Sequence, residues 1–169
     1  MEVRLARSEF DDFYRSHYNQ ILRFAERRVD QESARDVCAE AFAVAWRKFD
    51  PSNPPGLPWM YQTARNLIGT VYRKEARDLK LVSRITAEAL TSSGTTQAAE
   101  VLELLHALPA KDREALQLTY WDGLSAAEVA TVLGCSEQAA WKRISRAKRK
   151  LRADLDLQNN SGGREEVHA

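Results

Sequence analysis

A chain of 169 residues has room for one ordinary domain or for two small ones with modest cores. Its 44% hydrophobic and 29% charged residues are the proportions of a folding, globular chain and exclude a disordered one. The longest unbroken apolar stretch, Ala41 to Trp46, falls far short of the roughly 20 residues of a membrane span, and Met1 to Glu9 alternates charges where a secretory leader is apolar; a cytoplasmic protein without membrane insertion is expected.

Phe10, Phe13, Tyr14, His17, Ile21, Phe24 and Ala25 recur at steps of three and four, the stripe of a first amphipathic helix. Ala34, Val37, Cys38, Ala41, Phe42, Ala45, Trp46 and Phe49 repeat that pattern in a second, with Asp36, Ala43 and Arg47 turned outward. Pro51, Pro54, Pro55 and Pro58 then remove amide donors and restrict the residues before them, so a rigid loop follows. Trp59 starts a third helix with Met60, Ala64, Leu67 and Val71 on one face. Its basic run, Arg65, Arg73, Lys74, Arg77, Lys80 and Arg84, is interrupted only by Glu75 and Asp78. Because Asp30, Glu32, Asp36 and Glu40 lie upstream of it, the net charge of +1 conceals a polarised chain.

Residues 85–97 are rich in Thr, Ser, Ala and Gly, with no large apolar side chain after Leu90, and read as a flexible linker that spans up to ~45 Å when extended. Helical patterning resumes with Val101, Leu102, Leu104, Leu105 and Leu108 before Pro109, then Ala115, Leu116, Leu118 and Tyr120 before Gly123. Nothing alternates with period two for long enough to require a sheet. The expected fold is all-α: a helical domain over 1–84, the linker 85–97, a second helical domain over 98–156 and a polar tail over 157–169.

Ser125 to Arg152 has the anatomy of a helix-turn-helix. Ser125 and Glu128 form a capping box, and Val129, Ala130, Val132 and Leu133 supply the inner face of the helix that follows. Gly134 suits a left-handed helix end, and Ser136 can cap the next helix. In that helix Ala140, Ile144, Ala147 and Leu151 form the buried seam, which turns Gln138, Trp141, Lys142, Ser145, Arg146 and Arg149 to the opposite side. Between Ser136 and Arg152 lie Lys142, Arg143, Arg146, Lys148, Arg149, Lys150 and Arg152 against a single acid, Glu137. Such a helix repels itself unless an anionic surface compensates it, and DNA is the natural one. Gln138 can offer a bidentate amide to adenine, while Lys142 and Arg146 can serve guanine or phosphate; spacing does not choose between them.

Cys38 and Cys135 have no pairing or metal-ligand spacing and are read as structural. His17, His106 and His168 are scattered, with no paired carboxylates and no Gly-rich phosphate loop. No enzyme, metal or cofactor is expected.

The stretch Leu108-Pro109-Ala110-Lys111-Asp112-Arg113-Glu114-Ala115-Leu116, with Tyr120 to Ala130 and Leu133-Gly134-Cys135-Ser136, resembles the C-terminal promoter-binding domain of extracytoplasmic-function sigma factors. Phe13-Tyr14, His17-Tyr18, Asp36-Val37, Glu40-Ala41-Phe42, Trp46 and Trp59 to Leu67 are similar to the other domain of that family. The resemblance covers about residues 10 to 155. It implies a non-enzymatic transcription initiation factor whose partners are core RNA polymerase, promoter DNA and an anti-sigma factor.

By that resemblance the first domain binds the polymerase clamp through Asp36 and Glu40, and opens the minus-ten element with Arg65, Asn66, Arg73 and Lys74. Trp59, Tyr61 and Tyr72 can stack on unpaired bases, with core packing as the other reading of Trp59, and Asn53 stands in the loop that captures a flipped base. The second domain meets the minus-thirty-five element through Ser136, Gln138, Trp141, Lys142, Ser145, Arg146 and Arg149, and also binds the polymerase flap. Three positions depart from the family: Ala39 stands where Gln is usual, Thr70 where Asp is frequent, and Trp141 where a small or basic residue is usual. The competing reading is a helix-turn-helix regulator that binds duplex operator without polymerase, its N-terminal half sensing a ligand or dimerising. Such a protein footprints a duplex alone, whereas a sigma factor needs core polymerase.

Overall fold

The first apolar stripe forms helix α1 (Glu2–Glu26), which buries Phe13, Ile21, Phe24 and Ala25. In the computed structural model the described residues are 2–82 and 103–162 for the backbone, and 7–77 and 103–157 for side chains. Helix α2 (Gln31–Arg47) starts where Asp30 accepts the amides of Glu32 and Ser33 at 3.0 and 3.1 Å, bonds that hold the Asp30 carboxyl below its ordinary pKa. Its buried face is Ala34, Val37, Cys38, Ala41, Phe42 and Ala45. Trp46, expected on that face, is 46% exposed and keeps an edge contact with Phe10 at 4.9 Å.

Helix α3 (Leu57–Val82) begins two residues ahead of Trp59, because Pro58 falls in its first turn, where the missing amide donor costs nothing. Its buried residues are Met60, Tyr61, Ala64 and Ile68. Leu67 and Val71, expected beside Met60, are only half-buried, so the inner face is rotated toward Tyr61. The three helices pack pairwise. Fully buried Ile21 and Phe24 contribute about 1.5–3 kcal/mol each by burial. Cys38 joins this core as a free thiol 3.9 Å from the Tyr18 carbonyl, and burial pushes its pKa up to about 11. The Tyr72 hydroxyl donates to the Arg28 carbonyl and so ties α3 to the end of α1.

The chain divides into two compact units, Met1–Ala89 and Leu90–Ala169. The expected linker, 85–97, lies outside the described residues. In the second unit residues 103–106 are helical and precede α4 (Ala110–Tyr120), α5 (Ala126–Leu133) and α6 (Glu137–Gly162). Helix α6 packs on both α4 and α5. Fully buried Ala140 and nearly buried Ala147 give it a narrow contact face, so its backbone approaches closely while Ile144 and Leu151 close the sides. It runs past Asp156, the boundary expected for this domain. No strand occurs among the described residues, and no described helix is long and apolar enough to cross a membrane.

Candidate nucleic-acid interface

The α5–α6 corner is built by the caps its sequence carries. Ser125 Oγ accepts the Glu128 amide at 3.3 Å, and the Glu128 carboxylate accepts the Ser125 amide at 2.8 Å. Gly134 ends α5 at φ 61° and ψ 44°, a left-handed conformation that a Cβ resists. Two residues later Ser136 Oγ accepts the Ala139 amide at 3.2 Å and starts α6. The outward face of α6 is thereby fixed relative to α5 by the left-handed turn at Gly134 and the Ser136 cap.

The seven cations of this segment divide into two groups. Arg146 is bound by Asp112, its Nε at 2.6 Å and Nη2 at 2.7 Å from the two carboxylate oxygens. Arg143 donates to Cys135 Sγ at 3.4 Å, Lys150 donates to the Ala107 carbonyl at 3.2 Å, and Lys148 lies 5.6 Å from the centre of the Tyr120 ring. Lys142, Arg149 and Arg152 are exposed, with no internal partner among the described residues. With Gln138 and Ser145 they fall at steps of four, three, four and three along α6, one continuous stripe opposite Ala140. Arg152 completes this stripe and was not among the expected contacts; its spacing from Arg149 was the available signal.

Arg146, expected on the outward face as a guanine or phosphate contact, is also paired within the fold. Asp112, third residue of α4, is 2% exposed, and its burial disfavours the charged form. Arg146 supplies a partner, and its hydrogen bonds hold the Asp112 carboxyl below its ordinary value against the opposing effect of burial. The edge of Arg146 away from Asp112 stays open, and the side chain keeps 58% of its surface exposed.

In the first unit Trp59, Asn66 and Arg73 stand seven residues apart and form one stripe of α3, half-buried at Trp59 and exposed at Asn66 and Arg73. Arg65 and Tyr72, also seven apart, run beside it, and Lys74 is exposed. Thr70, at the position where the resemblance often has Asp, accepts from Arg73 Nη2 at 2.9 Å and donates to the Asn66 carbonyl at 3.3 Å, which steers the guanidinium along the helix. Lys48 Nζ lies 5.8 Å from the centre of the Trp59 ring. Exposed Asn53 sits in a turn ordered by Asp50, which accepts the Ser52 amide through its side chain at 2.9 Å and the Asn53 amide through its carbonyl at 3.0 Å.

Tyr61 must leave the set of base-stacking candidates. It is 3% exposed and packs on Phe24 at 4.9 Å, because the inner face of α3 is rotated toward it. Asp36 and Glu40 are both exposed one turn apart on α2, and Arg47 bonds Glu40 at 3.2 Å. Both partners of that pair are more than half exposed, so it contributes at most about 1 kcal/mol and yields readily to another cation.

Residues 13–78 match the family described as Sigma-70 region 2, and residues 98–151 match Sigma-70, region 4. The "Probable RNA polymerase sigma factor RfaY" of Xanthomonas campestris pv. campestris is 33% identical over 139 residues, 75% of this chain and 35% of its own length, so the chain spans about a third of that relative. The "ECF RNA polymerase sigma factor SigL" of Mycobacterium tuberculosis is 30% identical over 165 residues, 91% of this chain and 90% of that one. Among solved structures, that of CnrH in complex with the cytosolic domain of CnrY superposes with a TM-score of 0.62 at 28% identity, covering 90% of this chain and 96% of CnrH. Region 2 falls on the three-helix unit and region 4 on the unit that carries the capped corner and the basic stripe. With that pair of regions in that order, the chain belongs to the extracytoplasmic-function family of RNA polymerase sigma factors.

Proposed function

We propose that the two units divide promoter recognition between them, the second holding upstream duplex and the first holding core polymerase and the opened strand. The observation that carries this reading is the sorting of the α6 cations: four are occupied within the fold, and Lys142, Arg149 and Arg152 remain in one stripe with Gln138 and Ser145. A stripe of unpaired cations on a helix opened by a tight corner fits a major groove, where phosphates flank the base edges that Gln138 can read.

In the first unit the exposed acids Asp36 and Glu40 give core polymerase an anionic contact, and Glu40 exchanges Arg47 for a polymerase cation. Trp59, Asn66 and Arg73 run about 21 Å along α3, with Arg65, Tyr72 and Lys74 beside them. Cations and aromatic faces hold single-stranded DNA by phosphate attraction and stacking, neither of which needs a paired duplex, so this surface favours the open state. The ordered turn carrying Asn53 lowers the entropy lost on gripping an extruded base. In the second unit an open groove of about 1040 Å³ between α4 and α6, lined by Leu116, Tyr120, Trp121, Leu151 and Leu155, suits an apolar helix of the polymerase flap or of an anti-sigma factor competing for it. The protein contributes no catalysis of its own and works in the cytoplasm beside polymerase. A regulator acting without polymerase is not favoured, since the region 2 match accounts for the first unit.

The test is holoenzyme binding to promoter duplex across a salt series. Lys142→Ala and Arg149→Ala should each lower the slope of log affinity against log salt by about 1, and Lys148→Ala and Lys150→Ala by less. Equal slopes for all four variants, or a footprint as strong without core polymerase as with it, would overturn the assignment.

A further inference from the structure

Trp141 is a large apolar side chain that the fold of the second unit does not use. It is the fifth residue of α6 and lies about 100° around the helix from buried Ala140, outside the seam formed with Ile144, Ala147 and Leu151. It is 62% exposed, and among the described residues no ring packs on it and no hydrogen bond is made to it. Its neighbours on the helix surface are Gln138 and Ser145, members of the stripe proposed above to face DNA, and Glu137, with Lys142 next along the chain.

The partner of this position must offer negative charge to Lys142 and, within a side chain's length, an apolar group to the indole. A duplex major groove meets both requirements. Its walls are phosphates, and its floor displays one apolar group, the 5-methyl of thymine, which is presented beside the hydrogen-bonding edges that Gln138 and Ser145 can reach. The location near the N-terminal end of the second helix of the corner is also where base edges are contacted in this architecture.

We propose that Trp141 seats its indole on the 5-methyl of a thymine in the upstream promoter element and so sets a preference for thymine at that position. The inference rests on the reading of α6 as the duplex-binding helix, and adds to it a specificity-determining residue. No bond is made or broken; the selectivity comes from removing the methyl and one face of the indole from water. A single methyl is worth about fourfold in affinity.

The test uses holoenzyme and a promoter in which the thymines of the upstream element are replaced by uracil one at a time, a change that deletes only the methyl. Wild type should lose about fourfold at one position, or share that loss between two adjacent ones, while Trp141→Ala should bind the thymine and uracil duplexes alike. Trp141→Phe should keep part of the discrimination. Because Trp141 is exposed, unchanged circular dichroism and thermal unfolding are expected for both variants. Insensitivity of wild type to uracil throughout the element, or undiminished sensitivity in Trp141→Ala, would overturn the proposal. Lys142→Ala with Arg149→Ala separates the two levels of inference. If that pair weakens upstream binding while uracil has no effect, only the role of Trp141 fails; if the pair has no effect either, the duplex-binding assignment of α6 has failed.

Discussion

Asp112 is the only buried charged residue among those described. It lies in the first turn of α4, where the helix dipole favours a negative charge, but its burial opposes one. The two short bonds from Arg146 decide the balance and lower its pKa from the ordinary 3.8. A carboxyl whose folded pKa lies below its unfolded one adds stability that is fully present above the unfolded value and is lost as pH falls through the folded one. The second unit should therefore lose stability progressively below about pH 4, and Asp112→Asn should remove that part of the pH dependence. At neutral pH Asp112→Asn should cost about 1–3 kcal/mol, seen as a lower melting temperature of the second unit. No difference between the acid unfolding curves of the variant and wild type would show that the pair contributes nothing. The same pairing means that Arg146→Ala strands a buried acid as well as removing a candidate DNA contact, so Lys142 and Arg149 are the better probes of the proposed binding.

The α5–α6 corner is the element on which the orientation of α6 depends. Gly134 at φ 61° has nothing within 4 Å of the position a Cβ would take, so a side chain there meets backbone strain and no clash. Gly134→Ala should cost about 1 kcal/mol, and Gly134→Asn less, because Asn tolerates the left-handed region. Thermal unfolding followed by circular dichroism measures both. A Gly134→Ala protein as stable as wild type would mean that the corner relaxes to another geometry, and its upstream-element affinity would then report how much α6 has turned. The cap bonds at Ser125 and Ser136 are the complementary restraints, each holding backbone amides that the helix starts leave unpaired.

At the scale of the whole molecule, the proposed function assigns binding a promoter and opening it to different units. Asn66→Ala combined with Arg73→Ala removes two members of the outward α3 stripe without touching Lys142 or Arg149. Both residues are exposed, so the three-helix core of the first unit should persist. Closed-complex affinity should stay within about twofold of wild type, while permanganate reactivity of unpaired thymines near the start site should fall severalfold. A template with a pre-melted bubble should restore transcription. Opening as fast and as complete as wild type would withdraw the melting role from these two side chains.

The all-helical class, the three-four stripes of α1 and α2, the caps at Ser125 and Ser136 and the Gly134 turn were all legible in the sequence. Each depends on the identity of residues within one or two turns, and local backbone chemistry is the same in any fold. The basic character of α6 was legible too, since charge is a property of composition. Which cations are free was not: Arg146 is claimed by Asp112 and Lys150 by the Ala107 carbonyl, partners 34 and 43 residues away. The rotation of α3 that buries Tyr61 against Phe24 was equally hidden, because Met60, Ala64, Leu67 and Val71 satisfy helical periodicity as well as Met60, Tyr61, Ala64 and Ile68 do. Periodicity shows that a helix has an inner face. Only the shapes of the helices packed against it decide which residues occupy that face, because the burial gained depends on complementarity between surfaces distant in sequence.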